Sequence, residues 1–304
     1  MKHTLKITLF LIFIFLCAQI VGILINAKYI DIGKTVETGE VSYKELPFNF
    51  QRPDVSKTSS FVYIILGVLV GTGVLLLIIK FKRMRLWKFW YFIAVLLCLS
   101  FAFAAFIPQT VAFILALAIT MFKVYRTNVF LHNLSEIFIY GGLAALFVPI
   151  LNLFSVVMLL ILISVYDMIA VWKSKHMVKL AKFQSSSKLF AGLFIPYKKK
   201  KIVGIKETKL PEKKVKKKAT TAIIGGGDVA FPILFSAVVM ENLVIKGMAF
   251  NTALYQTLII ALFVTIALSL LMFLSKEGKF YPAMPFLSLG CFVGYGAVWL
   301  INFL

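Results

Sequence analysis

Apolar runs long enough to cross a bilayer recur along the whole chain, and no other feature restricts its fold as tightly. They fall at about 5–25, 60–79, 89–107, 110–122, 129–147, 151–172, 221–240, 252–275 and 285–304. A helix needs roughly 20 residues to span the hydrocarbon core. Inside that core every backbone polar group must find its partner within the protein, which leaves helices or closed barrels. Barrel strands alternate apolar and polar over about 10 residues, and these runs do not alternate. The expected fold is therefore an all-α polytopic membrane protein with nine transmembrane helices. Composition agrees: 61% of residues are apolar and 15% charged, against about 25% charged in soluble domains.

Charge placement orients the spans. With the N-terminus cytoplasmic, the inner segments are 1–4, 80–88, 123–126, 173–218 and 276–281, and each is net positive. The outer segments are 26–59, the turns at Pro108 and at 148–149, and 241–251; the first and last carry balanced charge. This is the asymmetry of the positive-inside rule, and it places the C-terminus outside. It also requires a break at Pro108, because merging the third and fourth runs would put two basic clusters on opposite sides. The first run is long for a signal-peptide core and no small-residue cleavage site follows it, so an uncleaved helix is expected.

Three parts follow: residues 1–172 with six spans, a lysine-rich cytoplasmic loop at 173–218, and residues 219–304 with three spans, all in one membrane domain. Sixteen lysines against Glu207 and Glu212 make that loop the main source of the +21 net charge. Its densest lysines, at 198–218, have no interleaved aromatics, which makes it a poor nucleic-acid platform; membrane lipid headgroups are its expected partner. Segment 173–190 has the pattern of a surface amphipathic helix, and 191–218 that of a flexible, partly disordered linker. Cys17, Cys98 and Cys291 lie inside apolar runs without metal-ligand spacing, which fits buried free thiols.

Two carboxylates stand out. Asp167 lies near the inner end of the sixth span and Asp228 near the inner end of the seventh. Ionisable groups at such depth are costly and mark functional sites. The two spans are antiparallel neighbours, so both carboxylates sit at similar depth and can face one another. Gly225, Gly226 and Gly227 precede Asp228, and Pro232 follows four residues later. Read as one helix, that span is weakened on both sides of the carboxylate by glycine propensity and by the missing proline donor. Loosened backbone in a membrane belongs beside a water-lined cavity. The alternative role for these glycines is close helix packing, as expected for the Gly67/Gly71 and Gly290/Gly294 pairs. Pro282-Ala283-Met284 opens the last span as a helix start would. Glu136 is the only other acid within the spans and follows His132 by four residues, as a helical pair. With His3 and His176 remote from it, neither a zinc site nor a serine–histidine site is evident.

Together, Tyr166-Asp167, Gly225-Gly226-Gly227-Asp228 and Pro282-Ala283-Met284 resemble the YD, GxGD and PAL motifs of the presenilin and signal peptide peptidase family. Met284 stands where the family has leucine, a swap of similar volume. The resemblance covers the whole chain. It implies an intramembrane aspartyl protease with Asp167 and Asp228 catalytic, Tyr166, the three glycines and Pro232 supporting them, and Pro282, Ala283 and Met284 positioning substrate. No metal or organic cofactor is implied. Substrates would be transmembrane helical peptides; an inside N-terminus is the presenilin arrangement, which by analogy selects single-span proteins with cytoplasmic C-termini. The sequence admits partner subunits or a homo-oligomer. An ion- or proton-coupled transporter or channel is the competing class, since carboxylates and broken helices also mark ion pathways. Against it stand the missing inverted repeat and the carboxylates' place at the inner end of the spans.

Overall fold

The apolar runs become helices because each then satisfies its backbone internally. The computed structural model describes residues 4–38, 41–126, 128–173, 183, 189–197, 220–275 and 281–303. In chain order the helices are α1 (Leu5–Tyr29), α2 (Ile32–Thr38), α3 (Ser60–Lys80), α4 (Met84–Ala104), α5 (Gln109–Tyr125), α6 (Val129–Phe147), α7 (Leu153–Met168), α8 (Gly226–Ile245), α9 (Phe250–Leu274) and α10 (Met284–Phe303). Eight are long and apolar enough to cross a membrane, counting the 3₁₀ turn after α6 and the π-helical turn after α7 with those helices, and α5 is a shorter apolar helix of 17 residues. The break at Pro108 is present: Pro108 is the N-cap of α5, and α4 packs along α5.

The chain turns on itself around α8, which contacts α1, α6, α7, α9 and α10. Its buried residues run almost unbroken from Val229 to Leu243. The strands are few. β1 (Ile30–Asp31) pairs antiparallel with β2 (Ser42–Tyr43). β3 (Gly192–Tyr197) pairs antiparallel with β4 (Thr220–Gly225) over six residues, from Gly192 opposite Gly225 to Tyr197 opposite Thr220. Gly192 has φ +147°, and a Cβ there would lie 2.3 Å from the Ile224 carbonyl oxygen, so only glycine fits.

Four expectations are corrected. The seventh span does not begin as a helix at 221: Thr220–Gly225 is strand, and α8 starts at Gly226. The 191–218 linker is not structureless throughout, since Gly192–Tyr197 is β3; its apolar Leu193-Phe194-Ile195 run favours a strand once a partner is present. Residues 198–218, like most of the expected surface helix at 173–190, His3 and His176, lie outside the described residues. Glu241 is not in a loop but in the last turns of α8, where it is 3% exposed. It accepts from the Tyr43 hydroxyl at 2.9 Å and from Lys57 Nζ at 2.8 Å, tying the 41–59 segment to α8. Burial and the neighbouring Glu241 hold the Tyr43 phenol well above its ordinary range, so it stays a donor. Lys123, expected in a solvated inner loop, is buried in α5, with consequences developed below.

Candidate active site

Asp167 is the penultimate residue of α7 and is 6% exposed. Immediately beyond, Ile169–Lys173 relaxes into a π-helical turn, a distortion common at functional sites. The Asp167 Oδ2 accepts the Met284 backbone N–H at 3.1 Å, and the Ala283 amide lies beside the same carboxyl. These amides are free to do so because Pro282 and Ala283 are non-helical and Met284 begins α10, whose first N–H groups have no intrahelical partner. The Pro282–Met284 stretch is therefore not merely a helix start; its amides hold the Asp167 carboxyl. Pro282 and Met284 are buried and Ala283 is half-buried.

Asp228 is the third residue of α8 and is half-buried. Gly225 is the N-cap, and its backbone N–H lies beside the Asp228 carboxyl. An acid in the first turn also complements the helix dipole. With Gly225 in the strand and cap, the three glycines do not interrupt a helix. Only Gly226 is demanded by packing: a Cβ there would come within 2.8 Å of the Tyr140 hydroxyl oxygen. At Gly227 it would meet Phe231 at an ordinary 3.4 Å. Pro232, buried inside α8, withholds the N–H that the Asp228 carbonyl would otherwise accept. Across from that turn, buried Gln19 of α1 donates through Nε2 to the Val229 carbonyl at 3.0 Å.

Helices α7 and α8 pack together, and Asp228 lies within reach of the Asp167 charge. The Tyr166 hydroxyl is 3.1 Å from Thr72 Oγ1 on α3, so it links α7 to the rim. Two supporting residues had not been singled out. Ser164 Oγ is 2.8 Å from Ser288 Oγ, and Ser164 also donates to the Leu160 carbonyl at 2.7 Å. This bond fastens α7 to α10 one turn from the Asp167–Met284 contact. The signal lay in the spacing: Ser164 precedes Asp167 by three residues and Ser288 follows Met284 by four, one helical turn in each case.

The sequence profile described as signal-peptide peptidase, presenilin aspartyl protease matches residues 12–303. The chain belongs to this family. Two crystal forms of a presenilin family intramembrane aspartate protease, in space groups C222 and P2, share its fold at 18% identity. Each superposes with a TM-score of 0.59, and the matches cover 95% and 96% of both chains, respectively. No curated protein sequence matches the chain. As a family member it is an integral, multi-pass membrane protein and an intramembrane aspartic endopeptidase. The transporter reading is thereby set aside. The broken helices and buried carboxylates that favoured it are features of this protease fold as well.

Proposed function

We propose that Asp167 and Asp228 form the acid–base pair that hydrolyses a peptide bond within the transmembrane segment of a single-span protein. The observation that carries this reading is the packing of α7 on α8, which bear one carboxyl each, with the Met284 amide holding Asp167 and the Gly225 amide beside Asp228.

Two close carboxyls in a site of low dielectric are most stable sharing one proton, and they titrate as a unit. The ionised partner takes a proton from a water molecule whose oxygen bonds to the peptide carbonyl carbon. The protonated partner delivers its proton to the carbonyl oxygen, giving a neutral gem-diol. On collapse, one diol proton returns to a carboxylate, the amide nitrogen is protonated by the other carboxyl, and the C–N bond breaks. The proton inventory of the pair is then restored. Amides bonded to the carboxylates keep their oxygens pointed at the reacting centre without moving charge during the reaction.

A helical peptide bond is shielded by its own turns, so substrate must be unwound before attack. Pro282 and Ala283, non-helical at the edge of the site, and Met284, the first residue of α10, are the segment we assign to holding the unwound strand. Tyr166 and Pro232 support the site, Tyr166 by bracing α7 on α3 and Pro232 by loosening the turn after Asp228. The charge pattern supports an N-terminus on the cytoplasmic side and substrates with cytoplasmic C-termini.

The test is cleavage of single-span peptides by purified protein in liposomes, with products read by mass spectrometry. Cleavage within the membrane segment, abolished by Asp167→Asn and by Asp228→Asn, is the expected result. Cleavage surviving either substitution would overturn the assignment.

A further inference from the structure

A second charged cluster lies in the membrane-buried interior, and the peptidase chemistry does not use it. Lys123 of α5 and Glu136 of α6 are 4% and 1% exposed, and their charged atoms are 2.7 Å apart. Lys123 also donates to Ser135 Oγ at 2.6 Å. Taking two charges into such surroundings costs more than the pair alone usually returns, and apolar replacements are often no less stable. A purely adhesive role between α5 and α6 would be met more simply by leucines.

What distinguishes this pair is where its hydrogen bonds lead. Four side chains on or beside it reach the β3–β4 ribbon or the residues that flank it. The Tyr140 hydroxyl donates to Glu136 Oε2, and its ring packs on Gly226. His132, 3.6 Å from Glu136, bonds the Gly192 carbonyl at 2.8 Å, so its Nε2 carries the hydrogen. Tyr91 of α4 donates to the Phe190 carbonyl at 3.1 Å. Asn133 clasps Phe194 from both sides, donating to its carbonyl at 2.9 Å and accepting its N–H at 3.0 Å. These contacts fix β3 at Gly192 and Phe194, and the chain just before it at Phe190. β3 in turn fixes β4, which ends at Gly225, the residue whose amide lies beside the Asp228 carboxyl.

We infer that the Lys123–Glu136 pair, with Tyr91, His132, Asn133 and Tyr140, is a positioning device that sets the β3–β4 ribbon and through it the place of Asp228. It reaches Asp228 by two routes. One runs from Glu136 through His132 to Gly192 and the paired strands, with Asn133 clasping β3 beside it; the other runs through Tyr140, whose tip leaves no room for a side chain at Gly226. The hydrogen bonds to Gly192 and Phe194 on one strand and the Tyr140 contact at Gly226, just past the other, give the Asp228 turn a fixed register where three glycines alone would leave it free. None of these six residues faces the reacting atoms, so all are positioning residues. The inference rests on Asp228 being a reacting carboxyl.

The experiment compares wild type with Lys123→Met/Glu136→Gln, which removes both charges while keeping volume, and with Asn133→Ala, which removes only the clasp on β3. Two readouts are taken on the full-length protein. Hydrogen–deuterium exchange follows the amides of 220–228 against those of α6 and α8, and cleavage kinetics separate kcat from KM. The expected result is exchange faster by about tenfold or more in 220–228 only, with kcat lowered about tenfold to a hundredfold, KM within about twofold and the thermal midpoint little changed; misplacing a reacting group by an ångström has effects of this size. Asn133→Ala, which leaves the ion pair intact, guards against failure of the double variant to fold. Exchange and kcat equal to wild type in both variants would overturn the inference. So would exchange that rises equally through α6 and α8, which would mark a general loosening. Asp228→Asn run alongside keeps the two readings apart: if it cleaves as wild type does, the aspartyl assignment falls, while the exchange measurement still decides whether the pair fixes the ribbon.

Discussion

Helices α3 and α8 look alike as strings of letters and occupy opposite places in the molecule. Both are apolar, both are about 20 residues long and both contain closely spaced glycines. Yet α3 is almost wholly uncovered by the rest of the chain, while most of α8 is buried, and the more apolar of the two is the one at the rim. Gly67, Gly71 and Gly73 look into open space. Gly226 is pressed against Tyr140, and Gln19 of α1 reaches across to the Val229 carbonyl. Hydropathy in such a chain measures contact with lipid. The centre is recognised instead by what lipid would not tolerate: a carboxylate, a proline within a helix, a buried amide, and glycines that admit a neighbour.

If α8 is the functional centre, the largest effect belongs to its carboxylate. Asp228→Ala, or Asp167→Ala on the adjoining α7, is expected to lower cleavage about a thousandfold or more, the scale of losing an acid–base partner. Expression and helix content by circular dichroism should be unchanged. A variant that keeps its activity would reduce α8 to a structural core helix and remove the contrast with α3. Next in size is Gly226→Val. The branched side chain must displace Tyr140, which is 4% exposed and hydrogen-bonded to Glu136. Overpacking of this kind costs about 1–3 kcal/mol, and here it falls two residues from Asp228. Both the unfolding midpoint and kcat should drop, whereas Gly227→Ala, whose Cβ would meet Phe231 at 3.4 Å, should leave the midpoint near wild type.

The same contrast explains how much was legible beforehand. The runs that became α1, α3, α6, α9 and α10 could be read to within a few residues at most of their ends, because length and apolarity alone decide them. The break at Pro108 was legible from charge. Asp167 and Asp228 stood out as candidates because a lone acid in an apolar run has no cheap explanation. What escaped were features that depend on a partner distant in the chain. The strand at Thr220–Gly225 runs straight into α8 without a polar interruption, and its mate at Gly192–Tyr197 lies across the lysine-rich segment. Lys123 read as the start of a cytoplasmic loop because nothing local reveals that Glu136 awaits it on the next helix. Glu241 read as a loop acid for the same reason, its partners Tyr43 and Lys57 lying nearly two hundred residues earlier. Of two GxxxG pairs with the same spacing, one packs and one does not, and spacing alone holds no record of which.

That last pair offers the finest test of the comparison. On α10 a Cβ at Gly290 would come within 2.9 Å of the Ala267 Cβ and 3.0 Å of the Val264 Cα, and one at Gly294 within 2.9 Å of the Ile260 Cα. These are contacts with the body of α9, so it must move away to admit even a methyl group. Gly290→Ala is therefore expected to destabilise by about 1–3 kcal/mol, read as a lower unfolding midpoint in detergent. The matching substitutions on α3, Gly67→Ala and Gly71→Ala, fill open space. Each removes a glycine from a helix interior, and alanine is the better helix former by about 1 kcal/mol. The double variant should unfold at the same temperature as wild type or slightly higher, with unchanged cleavage by the purified protein. A loss of activity or of stability there would mean that α3 is covered by another chain in the assembled enzyme. Its glycines would then do for a partner what Gly290 and Gly294 do for α9.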